Sequence, residues 1–266
     1  MDSVIDIGWL QVGLFSLIIL IPLYISSHYH LLLGKDMIIA LIRMALQLSL
    51  VGVYLEYLFN LNNFFVNTIW LILIVFIGAS AILSRAMLPR TRLILPLFLA
   101  LIQGLIPVLL ILSIFVVQPV PLYNAQYMIP IAGMLMGNSL SGNIIVLQNL
   151  FTAFEERKDE YEAAISLGAS PRYAARPFIT SAMQKASAPV LASMTTIGLV
   201  TLPGMMTGQI LGGTAPIIAI KYQFIIMVAI FVVLNLSMAF SIEYLFKVIV
   251  NKEGRVLIRF NNKSKK

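Results

Sequence analysis

Apolar residues run through this chain in long unbroken stretches separated by short polar connections. Neither the alternation of a half-buried strand nor the narrow stripe of a surface helix is the dominant pattern. Seven stretches stand out, at about 8–27, 37–59, 64–83, 93–117, 126–150, 187–211 and 222–248. Each is long enough to cross the hydrocarbon of a bilayer, which takes about 20 apolar residues at 1.5 Å per residue. Backbone N–H and C=O groups at membrane depth must pair within their own segment, so the stretches predict helices. Continuous runs in place of alternating segments of about ten residues exclude a transmembrane β-barrel. The expected architecture is an all-α, polytopic helix bundle of about seven spans.

Composition strengthens this picture. The chain is 60% hydrophobic and 11% charged, with a mean hydropathy of +0.95, whereas a soluble domain carries roughly 25% charged residues. The formal charge of +7 does not point to nucleic acid, because no basic stripe alternates with aromatics. The basic residues fall instead in the connections. Alternate connections, together with the C-terminal tail, hold 16 of the 18 Lys and Arg residues; Arg43 lies inside a span and Lys221 on the poor side. By the positive-inside rule this predicts an odd number of spans, the N-terminus outside and the C-terminus in the cytoplasm. Asp2 and Asp6 precede the first apolar run where a signal peptide would be basic, so that run is expected to be a retained span. With no cysteine in the chain, disulfides, thiolate metal ligands and a cysteine nucleophile are excluded.

One connection is large, about 151–186, and is expected to be cytoplasmic. Phe154, Tyr161 and Ile165 repeat at helical spacing, while Glu155, Glu156, Lys158, Asp159 and Glu162 supply a polar surface. Gly168 suits the left-handed position that ends a helix, and Ser170-Pro171 suits an N-cap and first-turn proline that begin another. The segment therefore predicts a helix, a tight turn and a second helix between two spans. The whole chain divides into one membrane domain, 1–251, and a basic tail, 252–266.

Within that connection, Glu162-Ala163-Ala164-x-x-x-Gly168 resembles the E-A-A-x-x-x-G motif by which ABC transporter permeases dock a short helix into a cleft of the ATPase subunit. The Leu-Pro pair that usually follows is replaced here by Phe178-Ile179-Thr180-Ser181. Three blocks, Met128 to Asn143, Glu160 to Arg172 and Thr195 to Gly213, extend the likeness over most of the chain. Together they resemble the FetB-type permease family, the membrane subunits of bacterial iron-export ABC transporters, similar to plant proteins linked to aluminium tolerance. The resemblance implies a multi-pass protein of the plasma membrane (the bacterial inner membrane) that works as a homodimer of permeases with a separate ABC ATPase subunit. It assigns the coupling contact to Glu160, Glu162, Ala163, Ala164, Gly168 and Ala169. It also places ATP and magnesium in the partner, with no cofactor in this chain. One observation on the residues agrees: the phosphate-binding pattern G-x-x-x-x-G-K-[ST] does not occur, and the lone Gly34-Lys35 pair is followed by Asp36.

Polar residues inside the spans are costly and therefore informative. Arg43 is close enough to its helix end, about 9 Å, to reach the interface. Gln47, Glu56, Asn138, Asn143 and Gln209 are candidates for the substrate path, with interhelical hydrogen bonding as the structural alternative. Gly133, Gly137 and Ser141 recur every four residues, as do Gly204, Gly208 and Gly212; such faces are expected to pack helices closely. Pro203, in Leu202-Pro203-Gly204, should break the sixth span, and broken helices beside polar side chains are common transporter binding sites. Met134, Met136, Met194, Met205 and Met206 are read as packing, so no residue is assigned to a metal.

The function expected on these grounds is export of iron or another metal ion or complex, driven by ATP hydrolysed elsewhere. The alternatives are an ABC permease for a non-metal cargo and a secondary transporter driven by an ion gradient. An inverted repeat would mark the second of these, and none is visible. An intramembrane enzyme would need H-E-x-x-H or an aspartate dyad in facing spans, and neither occurs.

Overall fold

The computed structural model describes residues 6–251 and 254–257; Met1, Asp2 and the rest of the expected basic tail lie outside the described residues. Helices α1 (Trp9–Ser16) and α2 (Leu20–His28) are joined by a 3-10 turn into one crossing. Then follow α3 (Gly34–Leu61), α4 (Phe64–Arg85), α5 (Arg90–Ile111, extended by a π turn over Leu112–Val117), α6 (Ala125–Glu156), α7 (Lys158–Ser166), α8 (Pro171–Thr196), α9 (Gly204–Leu211) and α10 (Pro216–Ile249). Six of these units are long and apolar enough to cross a membrane: Trp9–His28, Gly34–Leu61, Phe64–Arg85, Arg90–Val117, Ala125–Glu156 and Pro216–Ile249. The all-helical, multi-pass architecture read from the apolar pattern is the one observed.

The stretch expected as a single span over 187–211 is built differently. It comprises the end of α8, a non-helical segment over 197–203, and α9. Pro203 is extended (φ −64°, ψ 145°) and serves as N-cap of α9, so the helix cannot run through it. Just before, the carbonyl of Thr196 accepts from the N–H groups of Leu199, Val200 and Thr201, which unwinds the end of α8. Helix α8 has 26 residues, about 39 Å at 1.5 Å each. Its length suffices for a crossing, but Arg172, Arg176, Lys185 and a run of Ser, Thr and Gln keep it below the apolarity of its neighbours.

Helix ends are set by local chemistry. Asn63 caps α4 by accepting from the N–H of Phe65 at 2.9 Å. Asn62, left-handed at the end of α3 (φ 37°), accepts from the N–H of Ala125 at 3.0 Å and so ties that turn to the start of α6. Asn124 caps α6 in the same manner as Asn63 caps α4, through the N–H of Gln126.

The core lies where α4, α5, α6, α8 and α10 meet. Ile82, Leu97, Leu101, Leu135, Leu147, Leu234 and Met238 are fully buried there. On α8 the buried positions Ala174, Phe178, Ala182 and Ala186 recur every four residues, giving a narrow seam of small side chains. Gly104 of α5 lies against backbone: a Cβ there would stand 2.8 Å from the backbone nitrogen of Ser237 on α10. The N-terminal helices contrast with this core. Only Leu58 of α3 is buried, in a small cluster with Ala125 and Ile129 of α6.

Candidate functional site

The segment that resembles a coupling helix is an elbow. Helix α6 runs to Glu156, the chain bends at Arg157 (φ −112°, ψ 33°), and α7 occupies Lys158–Ser166. Asp159 and Glu160 sit in the first turn of α7, where carboxylates favour the positive end of the helix. Arg157 donates to Glu160 through Nε at 2.8 Å and through a second guanidinium nitrogen at 2.5 Å; Lys158 lies 3.4 Å from Glu162. Gly168 ends the elbow with φ +88°, a conformation that a β-carbon would strain. The N–H of Ala169 closes the turn onto the carbonyl of Ala164. Ser170 then caps α8, accepting from the N–H of Tyr173, with Pro171 in the first helical position.

Three aromatic rings join this elbow to the bundle. Phe154 at the end of α6, Tyr161 of α7 and Phe178 of α8 have centroids 5.2, 5.6 and 6.4 Å apart, and all three are buried. The Arg157 guanidinium lies 4.6 Å from the centre of the Phe178 ring. Among the described residues the Tyr161 hydroxyl finds no hydrogen-bond partner, and burial pushes its phenol above the ordinary value. With its inner face anchored in this way, α7 presents Glu160, Glu162, Ala163 and Gly168 outward, with Leu167 89% exposed at the tip; Ala164 and Ala169 are half-buried. Phe178 could have been suspected from its place one helical seam beyond Ala174 and Ala175, but nothing local pairs it with Phe154.

The intramembrane candidates divide. Gln47 and Glu56 are exposed on α3, and Asn138 is exposed on α6, donating only to the carbonyl of Met134 in its own helix. Gln209 on α9 is half-buried, its side-chain oxygen enclosed and without a partner. Asn143 does not line an open path in this chain. It is fully buried, donating to Ser237 at 2.9 Å and to the Ser139 carbonyl at 2.9 Å while accepting from Ser241 at 2.8 Å. The Ser139 and Ser237 hydroxyls are themselves 2.6 Å apart. These four side chains form a satisfied polar clamp between α6 and α10. Satisfaction is what makes such a group tolerable inside the bundle.

The glycine faces require a correction. Among the described residues, and apart from the neighbouring backbone of its own helix, nothing lies within 4 Å of a Cβ placed on Gly133, Gly137, Gly204 or Gly208, so no other described helix packs on them; Gly212 meets carbonyls of Gly208 and Gln209 at the end of α9. Close packing falls to Gly78, Gly104 and Gly142, whose virtual Cβ atoms meet Met136, Ser237 and Leu234. Pro203 stands at the break between α8 and α9, as the N-cap of α9. Among the described residues, no group of three or more His, Cys, Asp or Glu is placed to hold a metal ion.

Comparison with known proteins adds the family. A family model described as "Uncharacterised protein family (UPF0014)" matches residues 9–249. The UPF0014 membrane protein YjkA of Bacillus subtilis is 34% identical over 223 residues, which is 82% of this chain and 86% of that protein. The protein ALUMINUM SENSITIVE 3 of Arabidopsis thaliana is 32% identical over 79% of this chain and 76% of its own length. A protein of Escherichia coli named "Probable iron export permease protein FetB" is 27% identical over 91% of this chain and 92% of its own. No solved structure matches.

Proposed function

Because the chain belongs to the family described as UPF0014, we propose that it is the permease subunit of an ABC transporter, exporting iron or another metal ion or complex with ATP hydrolysed by a separate subunit. The observation that carries this proposal is the elbow. A short helix stands clear of the bundle, bears Glu162, Ala163 and Gly168 outward around an exposed Leu167, and is riveted to two long helices by the Phe154–Tyr161–Phe178 rings. An isolated large apolar side chain flanked by small residues fits a cleft in a partner better than it fits water. The name of the Escherichia coli relative supports the metal cargo.

In this mechanism the elbow faces the cytoplasm, with the N-terminus outside and the C-terminus inside, in the plasma membrane. Closure of two ATPase subunits on ATP and magnesium draws two elbows together, so two copies of the chain are required. The aromatic rivet carries that displacement into α6 and α8. The open faces of α6 (Gly133, Gly137, Asn138, Ser141) and α8 then change their exposure to the two sides. Small open faces and uncharged polar side chains provide a path for a cargo that is not held tightly.

The experiment is a Gly168→Val substitution, tested with the ATPase subunit in sealed vesicles loaded with Fe(II). Valine at a left-handed position costs roughly 1–2 kcal/mol and re-aims Leu167. ATP-driven export should fall by about tenfold, the size of a typical coupling energy, while the protein stays folded and membrane-inserted. Unchanged ATP-driven export would reject the mechanism. Export that persists after ATP depletion but collapses with the ion gradient would identify a secondary transporter.

A further inference from the structure

A cavity of about 740 Å³ opens between the first turns of α8 and the last turns of α10. Its rim is ionic. Arg172 donates to both carboxylate oxygens of Glu243, at 2.5 and 3.3 Å, and Lys247 lies 3.9 Å from the same group. Arg176 also lines the cavity, and among the described residues it has no ion-pair partner. Three cations against one carboxylate leave a net charge of +2. The N-terminus of α8, capped by Ser170, adds the positive end of a 26-residue helix.

The floor is of the opposite character. Ile179, Met183, Ile242 and Phe246 line it, and on α10 it continues into the apolar span that runs back to Pro216. A cationic rim over an apolar floor, at the point where a span gives way to Glu243 and Lys247, matches a molecule with an anionic head and a hydrocarbon body. Guanidinium groups hold phosphate oxygens in a fork geometry, and basic pockets between spans commonly take anionic headgroups. A free anion would use the rim and leave the floor uncovered.

We propose that this α8–α10 cavity is a binding site for one anionic phospholipid, its phosphate held by Arg176 and Lys247 beside the Arg172–Glu243 pair and an acyl chain lying along Ile179, Met183, Ile242 and Phe246. The assignment does not depend on the transport cargo or on an ATPase partner. Arg172 stays paired with Glu243 and orients the rim, while Arg176 and Lys247 supply the charge that the phosphate neutralises.

Native mass spectrometry of the delipidated full chain, titrated with phosphatidylglycerol or phosphatidylcholine, tests this. The wild type should bind phosphatidylglycerol at least about tenfold more tightly. The double variant Arg176→Gln/Lys247→Gln, which spares the Arg172–Glu243 pair, should lose that preference by about tenfold or more, since each cation near a membrane surface contributes about 1 kcal/mol. The double variant Arg90→Gln/Arg92→Gln, an equal charge change on α5, should stay within about twofold. Millimolar inorganic phosphate should not displace the lipid. Absence of a phosphatidylglycerol preference, equal loss in Arg90→Gln/Arg92→Gln, or displacement by inorganic phosphate would each overturn the proposal, the last by assigning the rim to a free anion. A preference lost when two copies associate would assign the cavity to a protein contact and overturn it as well.

Discussion

Two faces of α6 are made of the same kinds of residue and meet different fates. One carries Ser139, Gly142 and Asn143, all buried against α10. The other carries Gly133, Gly137, Asn138 and Ser141, all exposed. Small residues let backbones approach on either face, but only the first face also has hydroxyl and amide groups that complete one another across the contact. A small-residue spacing therefore marks where a helix is able to pack, and reciprocal hydrogen bonds mark where it does. The open face stays available to a second copy of the chain or to a path between two copies.

The sharpest way to break this contrast is to add bulk on each side of it. Gly104→Val drives side-chain atoms into the backbone of Ser237, which cannot swing aside. Overpacking of this sort costs about 3 kcal/mol, and the monodisperse yield in detergent should collapse. Gly137→Val, with nothing within 4 Å of its Cβ position, should retain the melting temperature of the wild type and instead reduce transport. Equal damage from both would mean that the two faces are not different in kind.

A smaller effect separates the two asparagines. Asn143→Ala orphans Ser241 and removes the donor shared by Ser139 and Ser237, at an expected cost of about 1–3 kcal/mol, read from denaturation in mild detergent. Asn138→Ala removes only a bond to its own helix and should be neutral within about 0.5 kcal/mol. The smallest effect concerns the rivet. Tyr161→Phe deletes a buried hydroxyl that has no partner among the described residues, so stability at neutral pH should be unchanged or slightly higher. Near and above pH 10.0, the ordinary value for a tyrosine, the unfolded chain ionises first and wild-type stability falls; the phenylalanine variant should lose less.

How much of this was legible in the sequence depends on the range of the physics involved. The six apolar spans were readable because bilayer thickness imposes one length on each. The punctuation of the elbow, Gly168 and then Ser170-Pro171, was readable because a left-handed turn and an N-cap are decided within a few residues. The course of α8 was not. Four of its five buried residues are alanines, so the expected crossing fell downstream, at about 187–211, where larger apolar side chains lie. Nor were the packing glycines evident, since Gly78, Gly104 and Gly142 stand on three helices with no shared spacing. Their role comes from Met136, Ser237 and Leu234, brought to them by tertiary structure. Asn143 looked like Asn138 for the same reason.

The claim on which the functional account turns is that the tip of α7 is gripped by an ATPase. The chain has no cysteine, so Leu167→Cys offers a single thiol for a benzophenone crosslinker in membranes containing the ATPase subunit. The account predicts an adduct between the two proteins from Leu167→Cys and none from Thr68→Cys on α4, with a yield that changes on adding ATP. No adduct at Leu167 in membranes where ATP-driven export proceeds, or an equal adduct from Thr68, would contradict it.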